Sequence, residues 1–312
     1  AFYFALQRTF NHQLIAMKIK LARHMGLCFG VKDAIQLAEE TAKTGPVTIF
    51  GPLAHNPSIK NRLLEQGIEF TEQHQHARTD TLIVTAHGTS DRMRQEINEA
   101  GFDVKDATCP LVHFAHRSLK KLVSDGYYPV IIGKEDHIEV RGLTGDLDAY
   151  TVLSQASDID QLPPAKRMGI ISQTTQPIDH VESLVECIKA AFPESEIRFT
   201  DTVCHPTKQR QKSAIELGQQ SDVVIVIGGR TSNNTRQLSR TVSRFCDRVY
   251  QIEKVEDLNR TWFESADAVG ITAGTSTPDE VIQPVIEQLR LWNNAESPAS
   301  VRMETQARVM AD

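Results

Sequence analysis

The chain has 312 residues, 24% of them charged and 40% hydrophobic, and a formal net charge of −6. This length suits two or three packed units around a sizeable core, and the acidic balance argues against a nucleic-acid partner. No run of about 18 or more apolar residues suggests a membrane span, and five widely separated cysteines do not read as a secreted disulfide framework.

A reducing, cytoplasmic setting fits better, where thiols serve metals or catalysis. Residues 1–17 (AFYFALQRTFNHQLIAM) carry no acidic side chain and read as an N-terminal extension outside the fold, either transit-like or an upstream read-through. From Lys18 to Arg23 the chain alternates with period two, as a half-buried strand does, and Cys28 follows. VKDAIQLAEETAK (31–43) has helical apolar spacing. The run PVTIF then leads to Gly51, with His55 and Asn56 beyond it. LIVTAHGTS (82–90) reads as a later strand ending in small polar residues, His87 among them.

Phe102 and Val104 alternate into Asp106-Ala107-Thr108-Cys109-Pro110. A helix is predicted from about Val112 to Ser124, and PVII ends at Gly133, with His137 and Glu139 beyond. Gln161-Leu162-Pro163-Pro164 reads as an exposed turn, and GIISQTT (169–175) is a second polar-ended strand. Ile197 and Phe199 lead into Asp201-Thr202-Val203-Cys204-His205-Pro206. A helix across 207–220 and the strand DVVIVI reach Gly228, with Ser232 and Asn234 beyond. VGITAGTS (269–276) is the third polar-ended strand. After about Trp292 the composition is that of a flexible tail.

Three cysteines therefore share one local pattern. Gly51, Gly133 and Gly228 follow Cys28, Cys109 and Cys204 by 23, 24 and 24 residues, and four residues further stand His55, His137 and Ser232. The repeat suggests three similar α/β units, 18–105, 106–201 and 202–292, with 293–312 as the tail, each pointing one Cys at a shared centre. Strand–helix–strand order with short links implies parallel strands joined by crossovers. In such sheets ligands gather beyond the carboxyl ends of the strands.

Several fates are open to these thiols. A structural zinc site draws on short-spaced pairs such as C-x2-C, which are absent; Cys109 with His113 and His116 has metal-like spacing but no local fourth ligand. Burial as a small hydrophobe suits Cys187 and Cys246. It suits the other three poorly, because they stand at strand-to-helix junctions where a helix N-terminus favours thiolate. Three converging thiolates suit an iron–sulfur cluster, with one iron left without a protein ligand. Around that centre His55, His87, His137, Thr174, Ser232, Asn234 and Ser276 could grip a small phosphorylated ligand. No G-x-G-x-x-G or Walker A pattern points to a nucleotide.

The motifs GLCFGV (26–31), AHN (54–56), TAHG (85–88), DATCPLV (106–112), HIEVRG (137–142), SQTT (172–175), TSNN (231–234) and AGTSTPD (273–279) closely resemble the LytB/IspH family, the 4-hydroxy-3-methylbut-2-enyl diphosphate reductases of the non-mevalonate isoprenoid pathway. The resemblance runs from about Met17 to Trp292. It implies a trefoil of three α/β units in pseudo-threefold array around one 4Fe–4S cluster held by Cys28, Cys109 and Cys204. It also implies that Glu139 is the proton donor, with Thr174 in its relay. His55, His87, Ser232, Asn234 and Ser276 would hold the diphosphate, with His137 close by and Asn233 in the same pocket. The implied partner is an external electron donor such as a ferredoxin or flavodoxin.

The sequence departs from the family at His24-Met25-Gly26-Leu27, where many members have Pro-Arg-Gly-Phe. Ile138 stands in place of the usual Pro, Asn233 in place of a Ser found in some members, and His205-Pro206 follows Cys204. A surface position is the better expectation for His205. A quinolinate-synthase-like dehydratase and a non-catalytic iron–sulfur sensor are the competing readings.

Overall fold

The short apolar runs of the sequence form strands that pair in parallel throughout. The computed structural model describes residues 17–295. Residues 1–16 of the expected extension and the tail beyond residue 295 lie outside the described residues, while Met17, assigned above to the extension, packs against the core of the third unit, and Asn293 and Asn294, assigned above to the tail, continue the last helix.

Strand β1 (Lys18–Leu21) leads to Cys28 and helix α1 (Phe29–Ala42), followed by β2 (Val47–Phe50), α2 (Pro57–Glu65), β3 (Glu69–Thr71), β4 (Thr81–Val84), α3 (Asp91–Glu99) and β5 (Asp103–Asp106). Behind Cys109 come α4 (Pro110–Ser124), β6 (Tyr128–Ile132), α5 (Ile138–Thr144), β7 (Thr151–Leu153), β8 (Arg167–Ser172), α6 (Ile178–Ala191) and β9 (Glu196–Phe199). Behind Cys204 come α7 (His205–Gly218), β10 (Val223–Ile227), α8 (Asn233–Val242), β11 (Val249–Ile252), β12 (Ala268–Ala273) and α9 (Asp279–Ala295). The sheets have the orders β3-β2-β4-β5, β7-β6-β8-β9 and β11-β10-β12-β1. These match position by position, so three similar α/β units make up the trefoil.

The match corrects one expectation. β1 does not belong with the first unit: it is the edge strand of the third sheet, with Lys18–Leu21 paired to Ala268–Ile271. Likewise, the strand before each Cys and the strand after the following helix lie in different sheets. β5 closes the first sheet, and α4 packs on β6 and β8 of the second. β9 closes the second, and α7 packs on the third; β1 closes the third, and α1 packs on β2 of the first. The reason lies in polarity. The strands before the cysteines hold only half-buried and exposed residues, as edge strands do, whereas Val47–Phe50 and Val223–Ile227 are central and almost wholly buried. Each Cys therefore marks a hand-over from one unit to the next, and the ring of hand-overs closes through β1.

Both faces of the third sheet are covered. Val285, Ile286 and Leu289 of α9 pack on one face, Ala214, Leu238 and Val242 on the other. Full burial of side chains of this kind stabilises by roughly 1.5–3 kcal/mol each. In the stretch expected to be an exposed turn, Gln161 and Pro164 are exposed, but Leu162 is buried in the core of the second unit.

Candidate active site

Cys28, Cys109 and Cys204 are the N-cap residues of α1, α4 and α7. Their backbone N–H groups donate to the carbonyls of Thr275 (3.0 Å), Ala86 (3.1 Å) and Thr174 (2.9 Å). Each acceptor lies two residues past the end of β12, β4 or β8, so one device holds all three. The three thiols line a single cavity with about 680 Å³ of empty space, part of it open to solvent. Gly30 presses its backbone on the Cys109 side chain: a Cβ there would stand 2.6 Å from Sγ. Thr207 Oγ1 lies 3.0 Å from Cys204 Sγ. Cys187 and Cys246 pack against the hydrophobic cores of the second and third units instead.

At Cys109 and Cys204, burial works against the expected thiolate character of the bare thiols. Burial pushes the Cys109 thiol up and the Cys204 thiol up to about 11, and the neighbouring Cys28 and Glu139 add to the rise. Desolvation outweighs the partial positive charge of a helix N-terminus for a bare thiol, and a cation bound at the centre reverses that balance. Among the described residues, the imidazoles of His55, His87 and His137 are the group whose three ligand atoms all fall within 4.8 Å of one another. Three thiols, each at a helix N-terminus on the wall of one cavity, are a donor set that fits a soft metal centre.

Glu139 is buried in the first turn of α5. Its Oε1 accepts the Thr174 backbone N–H at 2.7 Å, and its Oε2 accepts the Thr174 hydroxyl at 3.1 Å. Loss of water pushes its carboxyl up to about 7, against the opposing pull of those two hydrogen bonds. A carboxyl so poised both holds and releases a proton near neutrality.

Across the cavity the rings of His55, His87 and His137 stand 5.4–5.6 Å apart, centroid to centroid. Burial first, then mutual repulsion, lowers His137 to about 4 and His87 well below the ordinary imidazole value. For His55 the causes after burial are the charges of Arg236 and Lys134. Ser232 caps α8 by accepting the Thr235 N–H, and His137 Nδ1 caps α5 by accepting the Glu139 N–H. His55 Nε2, Asn233 Nδ2, Asn234 Nδ2 and Ser276 Oγ are buried without a hydrogen-bond partner. Amide N–H donors and the N-terminus of α8 repel a cation and suit an anion, so an anionic ligand fits this half of the cavity.

The cavity brings together every site residue expected from the sequence: Cys28, Cys109, Cys204, Glu139, Thr174, His55, His87, His137, Ser232, Asn233, Asn234 and Ser276. It includes Thr175, the neighbour of Thr174 in the SQTT motif, and adds Thr207 and Thr275, which the sequence reading did not single out. Thr207 had a signal, a hydroxyl in the first turn after a Cys N-cap. Lys134 and Arg236 had none, because their reach to His55 depends on packing between units. Ile138 reaches over Gly51, where a Cβ would stand 2.7 Å from Ile138 Cδ1. His205 is exposed.

The chain matches the family described as LytB protein over residues 19–290. It is similar to the 4-hydroxy-3-methylbut-2-enyl diphosphate reductases of Trichlorobacter lovleyi, 38% identical over 89% of this chain and 100% of the relative, and of Aquifex aeolicus, 37% identical over 87% and 96%. Among solved structures, an (E)-4-hydroxy-3-methyl-but-2-enyl diphosphate reductase, described as the terminal enzyme of the non-mevalonate pathway, superposes with a TM-score of 0.65 at 36% identity, covering 88% of this chain and 99% of that one. The E-1-hydroxy-2-methyl-but-2-enyl-4-diphosphate reductase of Plasmodium falciparum superposes with a TM-score of 0.82 at 26% identity, covering 90% and 89%.

Proposed function

Because the chain belongs to the LytB protein family, we propose that it reduces 4-hydroxy-3-methylbut-2-enyl diphosphate to isopentenyl and dimethylallyl diphosphate, the last step of the non-mevalonate isoprenoid pathway. The observation that carries this reading is a single cavity lined by three thiols, a buried protonatable carboxyl and a set of unpartnered polar groups. Cys28, Cys109 and Cys204 hold one 4Fe–4S cluster, which when bound supplies single electrons and a Lewis-acidic iron.

The remaining steps belong to side chains. His55, His87, His137, Ser232, Asn233, Asn234 and Ser276 bind the diphosphate, and its anchoring fixes where the allylic hydroxyl sits. Arg236 and Lys134 add positive charge near His55. Glu139 holds a proton at neutral pH and gives it to the departing hydroxyl, which leaves as water. Thr174 keeps the carboxyl aimed through its hydroxyl and backbone N–H. Electrons come from an external carrier such as a ferredoxin or flavodoxin, since the sequence carries no nucleotide-binding fingerprint. No helix among the described residues is long and apolar enough to cross a membrane.

The test is anaerobic turnover of the diphosphate by iron- and sulfide-reconstituted protein with reduced methyl viologen, products separated by chromatography. The two isoprenyl diphosphates are the expected products. Absence of turnover with a fully loaded centre rejects the assignment.

A further inference from the structure

Arg210 breaks the threefold pattern at the centre. It lies on α7, six residues after Cys204; the same step after Cys28 and Cys109 brings Ala34 and Ala115, both fully buried. A small neutral side chain therefore suffices for helix–sheet packing at two of the three equivalent positions. Arg210 is only 7% exposed, and among the described residues no other Arg and no Lys is buried. No carboxylate pairs with it there. Its guanidinium donates instead to backbone carbonyls: Nε and Nη2 to Gly26 (3.2 and 2.8 Å), Nη2 to Leu27 (3.2 Å) and Nη1 to Pro206 (3.1 Å). Gly26 and Leu27 immediately precede Cys28, and Pro206 follows Cys204 by two residues. The side chain thus ties together the backbone segments that carry two of the three thiols.

Burying an unpaired guanidinium is unfavourable unless a compensating charge arrives. Burial lowers its pKa, and the electrostatic neighbours Cys28 and Cys204 oppose that by favouring the charged form. A positive charge beside two thiols stabilises their thiolates and favours the reduced, more negative state of the group they hold.

We propose that Arg210 is a positioning residue for the three-thiolate site: it clamps the Cys28 segment to α7, and its buried charge strengthens thiolate binding of the centre and raises the reduction potential of the bound cluster. This rests on the three-thiolate reading given above. It predicts an electronically unequal site, in which Cys28 and Cys204 feel the charge together.

The test compares wild type, Arg210→Gln and Arg210→Lys in two ways. Metal-free full-length protein is titrated with Co(II) under argon, following the thiolate-to-cobalt absorption band. The anaerobically reconstituted protein is titrated potentiometrically, following the paramagnetic signal of the reduced cluster. Arg210→Gln is expected to bind Co(II) about tenfold more weakly and to show a more negative midpoint potential. Arg210→Lys, which keeps the charge, should stay near wild type in both. Unchanged affinity and potential in Arg210→Gln overturn the inference alone. Equal losses in Arg210→Gln and Arg210→Lys that track lost circular dichroism of the metal-free protein overturn it too, and leave Arg210 a packing residue. Should wild type itself show no thiolate band, the three-thiolate site falls, and this inference with it.

Discussion

Glu139 sets the pH dependence at the residue scale. With its carboxyl pushed up to about 7 by burial, turnover at saturating substrate should decline as pH rises through about 7. Glu139→Gln has no proton to give and should lower turnover by about 10²–10⁴-fold and abolish that limb; rate–pH profiles with a chemical reductant check both. Stability of the metal-free protein carries the opposite signature from His137. Its imidazole titrates at about 4 when folded, below its unfolded value, so the unfolded chain binds more protons between about 4 and 6.5. Stability should therefore rise with pH across that window, on the order of 3 kcal/mol from this group, with His87 acting in the same direction. Glu139 opposes it, since its raised folded value lowers stability as pH climbs from about 4.5 to 7. Denaturant midpoints should accordingly rise more steeply with pH in Glu139→Gln than in wild type. Thiol acidity was not legible in the sequence: a helix N-terminus is visible in the Cys-Pro and Cys-Phe junctions, but the depth of burial that raises Cys109 and Cys204 is set by other units.

At the scale of elements, six helix starts carry the site. α1, α4 and α7 begin at the cysteines, and α2, α5 and α8 begin at or just after His55, His137 and Ser232. Ser232→Ala removes both a cap and a hydroxyl of the anion-binding half. It should cost about 1 kcal/mol of stability and raise KM for the diphosphate more than it lowers kcat. Gly30→Ala separates helix propensity from site geometry. Alanine is the better helix former, by at most about 0.5–1 kcal/mol at this second position of α1, yet its Cβ would meet Cys109 Sγ at 2.6 Å. Iron content after reconstitution should fall while helicity by circular dichroism is kept; full iron loading would contradict the close approach. The alternation of Lys18–Arg23 and the apolar run DVVIVI made strands legible. Which sheet β1 joins was not, because a period-two pattern reports an edge strand and says nothing of its partner.

For the whole molecule, the near-equal Cys-to-Gly spacing of 23, 24 and 24 residues carried the most information: matching spacing in three copies implies equivalent positions, and equivalent positions around a ring point one Cys each at a shared centre. The hand-over of each Cys segment from one unit to the next makes the centre a joint property of all three. Replacing any one of Cys28, Cys109 or Cys204 by Ser should therefore impair loading, although they are far apart in sequence. The most direct measurement is anaerobic iron and sulfide analysis with electron paramagnetic resonance of the reduced protein, before and after adding the diphosphate substrate. About four iron and four sulfide per chain, with a spectrum that shifts when substrate is added, is the predicted result. Iron and sulfide far below one cluster per chain after reconstitution, or a spectrum indifferent to the substrate, would contradict a shared three-thiolate centre with a place left for the substrate.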